Sequence, residues 1–258
     1  MTRKFLIVGN WKMHLNVSQA SLLLHRLTDL IRLHRNIEIV LAPPMLDLQP
    51  LSVQLDRRKF RLAAQNAYFQ DEGPYTGEVS FTMLQGLVHY VIVGHSERRI
   101  QFHEDLPMIR DKVKAAIRND ISPILCVGET KHERKEGFTK RVIHDQVTTA
   151  LSNLTAREIM DVVIAYEPVW AIGAGDPAKP QQIEEAVQFV RHNVSELYGP
   201  KVGQTIRVIY GASVEPEFVS GILTIPGVDG LLPGGASLNA YAFAGIVDAV
   251  HRLQTELA

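Results

Sequence analysis

The chain has 258 residues, 46% of them apolar and 21% charged, with 27 Lys and Arg against 28 Asp and Glu. That apolar fraction, with a net charge of only −1, excludes a mainly disordered chain. The even balance of charge argues against a nucleic-acid partner, which calls for a basic excess. The single cysteine, Cys126, cannot close an internal disulfide, so nothing indicates an oxidising compartment. No apolar run approaches the roughly 18 residues of a membrane span. Phe5–Val8 is too short for the core of a signal peptide. The expectation is a cytoplasmic protein with no membrane partner, in which Asn16-Val-Ser18, Asn153-Leu-Thr155 and Asn193-Val-Ser195 match the glycosylation sequon by chance.

Short β-branched runs recur along the chain at Phe5–Val8, Ile37–Leu41, Arg61–Gln65, Tyr90–Val93, Pro123–Val127, Val162–Ala165, Ile206–Ile209 and Val228–Leu232. Most are apolar on consecutive residues, the pattern of strands buried on both faces of a parallel sheet. Between them lie stretches with helical spacing. Leu22, Leu23, Leu27, Leu30 and Ile31 form one stripe, and Ile109, Val113 and Ala116–Ile117 another. Ile183, Ala186–Val187 and Val190 form a third, and Ala242, Ile246, Ala249–Val250 and Leu253 a last. Ser18 and Ser237 sit where helix N-caps are expected. Alternating strands and helices fit a doubly wound open sheet or an eight-fold barrel. Eight near-equal units ending with the chain favour the barrel: an α/β protein, residues 1–258 as a single (β/α)8 domain. The connections near 45–60 and 69–89 are irregular.

The polar residues fall at the carboxyl ends of these strands, which in a barrel form one rim where active sites are built. Asn10 and Lys12 follow the first strand, and His95, Ser96 and Glu97 the fourth. Glu129 follows the fifth, Glu167 the sixth and Ser213 the seventh, and Gly234-Gly235 follow the eighth. Each has an ordinary reading too: Glu167 and Lys12 as solvated loop residues, His95 as structural, the glycine runs as tight turns. Yet Glu167 precedes Pro168-Val-Trp-Ala-Ile-Gly-Ala-Gly175, a loop too apolar to lie permanently in water. Such a segment beside a carboxylate reads as a lid that excludes water and strengthens the base. A helical turn starting at Ser96 would present N–H groups to the His95 ring and disfavour its charged form. Lys12, if it points inward, is the cation an anionic substrate needs. The turns Gly211-Ala-Ser213 and Gly234-Gly-Ala-Ser237 stand where barrels of this kind bind phosphate through backbone N–H groups, and Gly173 adds another from the lid. Arg98 and Arg99 stay open between these roles and plain surface or interface charges. Cys126 reads as a packed small hydrophobe, and His132–Arg141 as a solvated helix start. No metal-ligand spacing, Walker loop or G-x-G-x-x-G is present.

These motifs resemble those of the triosephosphate isomerase family, in family order along the whole chain: Gly9-Asn-Trp-Lys-Met13, Ala64-Gln-Asn66, Tyr75-Thr-Gly-Glu78, Gly94-His-Ser-Glu-Arg-Arg99, Cys126-Val-Gly-Glu129, Ala165-Tyr-Glu-Pro-Val-Trp-Ala-Ile-Gly173, Tyr210-Gly211 and Gly234-Gly-Ala-Ser-Leu238. The resemblance implies the family's TIM barrel and interconversion of dihydroxyacetone phosphate and glyceraldehyde 3-phosphate, with neither cofactor nor metal. It implies Glu167 as the base, His95 as a neutral electrophile, Lys12 and Asn10 as support for the enediolate, and Glu97 as their partner. Gly173, Ser213, Gly234 and Gly235 become the phosphate grip. Taken alone, Phe69–Val79 is an exposed loop; the resemblance makes it a dimer loop that brings Thr76 near the Asn10 and His95 of a second copy.

The chain departs from the family pattern in four places. His14 stands for an Asn, Ala174 for a Thr ahead of a far hinge reading Asp176-Pro177-Ala178, Ala212 for a second Gly, and Pro233 for a Val. Ala212 disfavours positive φ and Pro233 removes an N–H, so both bear on the phosphate turns. A four-carbon ketose phosphate isomerase and a catalytically idle phosphate-binding barrel are the competing readings. The idle barrel would need neither base nor electrophile.

Overall fold

A computed structural model describes residues 4–173 and 178–256. Eight parallel strands close in sequence order into a barrel: β1 Phe5–Asn10, β2 Ile37–Ala42, β3 Phe60–Ala64, β4 Tyr90–Val93, β5 Ser122–Val127, β6 Val163–Tyr166, β7 Arg207–Tyr210 and β8 Gly230–Leu231. β1 pairs with β8 at Leu6↔Gly230 and Ile7↔Leu231, so no strand edge is left open. The expected runs match these strands to within a residue or two. β8 is the shortest, but its ladder is longer than its label. Asp229 N donates to Val208 O at 2.7 Å, and Leu232 N to Tyr210 O at 2.7 Å. Pro233, with no N–H, ends it.

Strand parity separates two cores. Leu6, Val8, Val40, Ala63, Ile92, Ile124, Cys126, Ala165, Ile209 and Leu232 fill the barrel interior. The alternate residues, among them Ile7, Ile39, Leu62, Val91, Leu125, Ile164 and Val208, pack outward against the helices. This two-sided burial is why the strands read as continuous apolar runs. Cys126 is a buried interior residue as expected, and burial pushes its thiol pKa well above the ordinary value.

Two sequence expectations about helices are corrected. The first helix, Val17–Leu30, is capped by Asn16 and not by Ser18. The Asn16 side chain accepts from Gln19 N at 3.1 Å, and the Gln19 side chain accepts from Asn16 N at 3.0 Å, a reciprocal capping box. Its buried stripe is Ala20, Leu23, Leu24 and Leu27, while Leu22 and Leu30 face solvent. Leu24 continues the i, i+4 row from Ala20 that Leu22 leaves. Likewise Ser237 lies inside the 3-10 turn Gly235–Leu238 and donates to Gly234 O at 2.6 Å. The last helix, Ala240–Glu256, is held at its start by Asn239, whose Oδ1 accepts from Tyr241 N and Ala242 N at 2.9 and 3.1 Å. The irregular second connection contains a ten-residue helix, Met45–Gln54, despite an internal Pro50.

Candidate active site

The carboxyl-end rim holds a cavity of about 280 Å³ lined by Asn10, Lys12, His95, Glu167, Gly173, Ser213, Gly234 and Gly235, with Ile172, Ala212 and Leu232 among the other walls. Eight of the residues singled out in the sequence thus face one space. Glu97, Glu129 and Thr76 do not line it.

Lys12 is placed by its backbone. Its φ of 52° is left-handed, a conformation that costs a non-glycine residue roughly 1–2 kcal/mol. The surroundings hold it there. Lys12 N donates to Asn10 Oδ1 at 3.0 Å, and Gln65 Nε2 donates to Lys12 O and Ala42 O, each at 2.8 Å. Its ammonium donates to Glu97 Oε1 at 2.6 Å. A Cβ on Gly234 would stand 3.2 Å from Lys12 Cε, so the glycine leaves room for the lysine stem.

His95 caps the short helix Ser96–Gln101, and its Nδ1 accepts from Glu97 N at 3.2 Å. That bond needs a lone pair on Nδ1, so the ring proton belongs on Nε2, which meets Glu167 Oε1 at 3.0 Å. The other carboxylate oxygen, Oε2, accepts from Ser96 N at 3.2 Å. Burial alone would raise the Glu167 pKa, but His95, the Arg99 guanidinium and the Ser96 N–H outweigh it and hold the group below the ordinary carboxylate value. For His95, burial works against charge, while Glu167 and then Glu97 work for it and lift the pKa above 6.5. The expected neutral ring is therefore favoured by the helix N–H and opposed by the carboxylate, and the opposition lasts only while Glu167 stays in contact.

Glycines let Glu167 sit where it does. A Cβ on Gly128 would fall 1.8 Å from Glu167 O, and one on Gly211 would fall 3.3 Å from Glu167 Cγ. Arg99 is more than a solvated surface charge. It is half-buried and donates to Gly94 O, Cys126 O and Gly128 O at 2.8, 2.8 and 3.1 Å, tying the ends of β4 and β5 together.

Glu129 lies behind the cavity, fully buried. It accepts from Arg134 Nη1 at 2.8 Å, Trp170 Nε1 at 2.9 Å and Tyr166 OH at 3.3 Å, with the Arg134 guanidinium 4.7 Å above the Trp170 ring. It therefore fastens the turn Val169–Ala171 that begins the apolar segment. Ser213 Oγ donates to Ala171 O at 3.0 Å, and on the far side Tyr210 OH accepts from Ala178 N at 3.0 Å. Gly173, at φ 68°, ends the described part of that segment. Ala174, Asp176 and Pro177 lie outside the described residues. Sequence reasoning left Arg99 open and missed Gln65, Tyr166, Trp170 and Tyr210 as holders of the site. Tyrosines closing apolar strands were the available signal for two of them.

Of the departures, Ala212 is not among the residues of positive φ, so its Cβ carries no strain in this arrangement. Pro233 presents its carbonyl to Asn10 N at 2.9 Å, a contact that needs no N–H of its own. His14 and Thr76 are exposed. The Thr76 loop is tied at its base by Tyr68 N to Val79 O at 2.8 Å. Among the described residues, no three His, Cys, Asp or Glu side chains are arranged to hold a metal, and no helix is long and apolar enough to cross a membrane.

A closed eight-stranded barrel with a buried carboxylate, an imidazole and an ammonium facing one cavity, backed by glycine turns after β7 and β8, defines the class: a barrel enzyme built to move protons on a small anionic substrate. The family model of triosephosphate isomerase matches residues 5–250, and the chain belongs to the triosephosphate isomerase family. It is 42% identical over 247 residues to the triosephosphate isomerase of Caldanaerobacter subterraneus subsp. tengcongensis, covering 95% of this chain and 99% of that one. It is 42% identical over 246 residues to that of Carboxydothermus hydrogenoformans, covering 95% and 98%. The protein of the same name from Geotalea uraniireducens is 43% identical over 247 residues, covering 95% and 98%.

Proposed function

We propose that the chain is an intramolecular isomerase that interconverts dihydroxyacetone phosphate and glyceraldehyde 3-phosphate through an enediolate, with Glu167 as the base. The observation that carries this is the placement of Glu167. It is a buried carboxylate, kept ionised, facing a cavity shared with the Nε2 of His95 and the Lys12 ammonium. Proton abstraction beside a carbonyl builds negative charge on oxygen, so donors must already be in place when the proton leaves. Glu167 exchanges its bonds to His95 and Ser96 for the substrate, removes a proton from one carbon and returns it to the next. His95 Nε2–H donates to the substrate oxygens, Lys12 offsets the enediolate charge, and Asn10 and Glu97 keep Lys12 in position. Backbone N–H groups of Gly173, Ser213, Gly234 and Gly235 receive the phosphate.

An idle phosphate-binding barrel would gain nothing from a buried, ionised Glu167. A four-carbon ketose phosphate would need the same groups and a roomier cavity. The active form is a homodimer in the cytoplasm, in which Phe69–Val79 of one copy brings Thr76 to the Asn10 and His95 of the other. Met13, Leu46 and Met83, 94%, 83% and 66% exposed in the single chain, support a partner surface. A coupled assay of glyceraldehyde 3-phosphate isomerisation tests the proposal. The expected kcat/KM is in the range of roughly 10⁸ M⁻¹s⁻¹, and a higher value on a four-carbon ketose phosphate would overturn it.

A further inference from the structure

The amino-terminal mouth of the barrel carries a second polar cavity. Val40, Ala63, Ile124 and Ile209 point into the barrel, so the residues two positions earlier, Glu38, Arg61, Ser122 and Arg207, face the same interior one layer lower. Glu38, Arg61, Tyr90 and Ser122, with Arg57, Gln85 and His89, line a cavity of about 540 Å³, larger than the one at the other rim.

The charges here are unequally satisfied. Glu38 is committed, accepting from Tyr90 OH at 3.0 Å and Arg207 Nη1 at 2.9 Å. Asp56 is held through both oxygens by Arg58, each at 3.1 Å. Among the described residues Arg57 and Arg61 are left with no ion pair to a carboxylate. Arg61 instead donates from Nη1 to the Nε2 lone pair of His89 at 2.8 Å. Asp120, on the turn before β5, also lines the cavity and is exposed at its edge. A guanidinium fork that ends on a neutral imidazole is a poor match for donors shaped for oxyanions.

We propose that this mouth binds a small, multiply charged oxyanion of the diphosphate class, with Arg57 and Arg61 as its donors. Two guanidinium groups without ion-paired carboxylates, opposed only by Asp120 at the edge, leave the mouth net positive and favour an anion of more than one charge. The cavity admits a larger anion than a single phosphate. His89 couples binding to pH. Burial, then Arg61 and Arg57, hold its pKa below 6.5, with Glu38 opposing. The groups around it are Arg57 and Arg61, Glu38 with its partner Arg207, the neutral Tyr90 and Asp120. An anion between the arginines reverses the field on the ring, so His89 takes up a proton as the anion binds, and binding tightens as pH falls.

The test is calorimetric titration with inorganic pyrophosphate at fixed ionic strength, with the catalytic rim saturated by the equilibrium triose phosphate mixture. We expect saturable binding to the wild-type protein. Arg57→Gln, an exposed change, and Arg61→Gln should each weaken it at least tenfold while kcat/KM stays within twofold. Between pH 8 and pH 6 the wild-type affinity should rise relative to His89→Gln, a comparison that cancels the probe's own protonation. Equal affinity in wild type and Arg57→Gln, heat reproduced by sodium chloride, or no binding beyond the catalytic rim would each overturn the proposal.

Discussion

The two ends of the barrel are made from the same eight strands and use charge differently. At the amino end Glu38, Tyr90 and Arg207 close on one another in a knot that stiffens the mouth. At the carboxyl end Lys12 meets Glu97 and Glu167 meets His95, yet Lys12, His95 and Glu167 still face a cavity, and backbone groups hold them as well. Glu167 is braced by the Ser96 N–H and a glycine at 128, and Lys12 sits at a left-handed φ secured by Gln65 and Asn10. A charge closed off from any cavity contributes to stability only. A charge that faces a cavity, at Lys12 on a strained backbone, is held at some cost and can exchange its partner for a substrate.

The largest expected contrast is between Glu167→Gln and its counterpart at the other end. Glu167→Gln keeps the shape and one acceptor for Ser96 N–H but removes the proposed base, so kcat should fall by about 10²–10⁴-fold, with a modest loss of melting temperature from the charge given up beside His95. Lys12→Gly should come next. It removes the cation and also the residue strained at φ 52°. Activity should fall by about 10²-fold or more, while stability in urea holds or rises by up to about 1 kcal/mol. A Lys12→Gly protein that is both less active and clearly less stable would place the strain elsewhere.

Much of this division was legible in the sequence, for a physical reason. Strands buried on both faces write themselves as continuous apolar runs, and β4 was delimited to the residue. Apart from Gly173, the eight residues facing the cavity stood out because each follows such a run by two to four positions. The holders of the site were not legible. Gln65 reaches Lys12 and Trp170 reaches Glu129 across long stretches of chain, pairings that exist only once the barrel closes. Helix details failed for a more local reason. Ser18 is already the second residue of its helix and Ser237 lies three before its own, so Asn16 and Asn239 hold the cap positions instead. The amino end was invisible as a feature, since Arg61 read only as the edge of one run and Arg207 as a polar interruption inside another.

Arg207→Leu should show the reverse pattern, at a smaller scale. It leaves the Glu38 carboxylate and the Tyr90 hydroxyl without their cation in a setting that is roughly a quarter exposed to solvent. A loss of about 1–3 kcal/mol in urea unfolding is expected, with kcat/KM within twofold of wild type. A tenfold loss of kcat/KM in Arg207→Leu would show that the lower layer sets the geometry of the upper rim, and the two ends would no longer be separable.

The smallest expected effect is in the pH dependence of stability, where the ends differ in their windows. Glu167 has a folded pKa below its ordinary 4.5. Its contribution is present above that value and is lost only as pH falls through the lower, folded one. His89 is lowered from 6.5 by burial and by Arg61 and Arg57, so the unfolded chain takes up its proton first and stability falls as pH drops below 6.5. His34, lowered by burial beside His251, acts in the same sense. His95, whose pKa Glu167 lifts, acts in the opposite one, its contribution growing as pH falls toward 6.5. A wild-type melting curve between pH 7.5 and 5.5 mixes these terms, but its difference from His89→Gln isolates the amino end. Glutamine keeps an acceptor before Arg61 and carries no proton that titrates. The variant should therefore lose less melting temperature than wild type on acidification, while both fall together below pH 4.5 as Glu167 titrates. Parallel curves down to pH 5.5 would return His89 to an ordinary pKa and leave the arginines at the lower mouth without the field assigned to them.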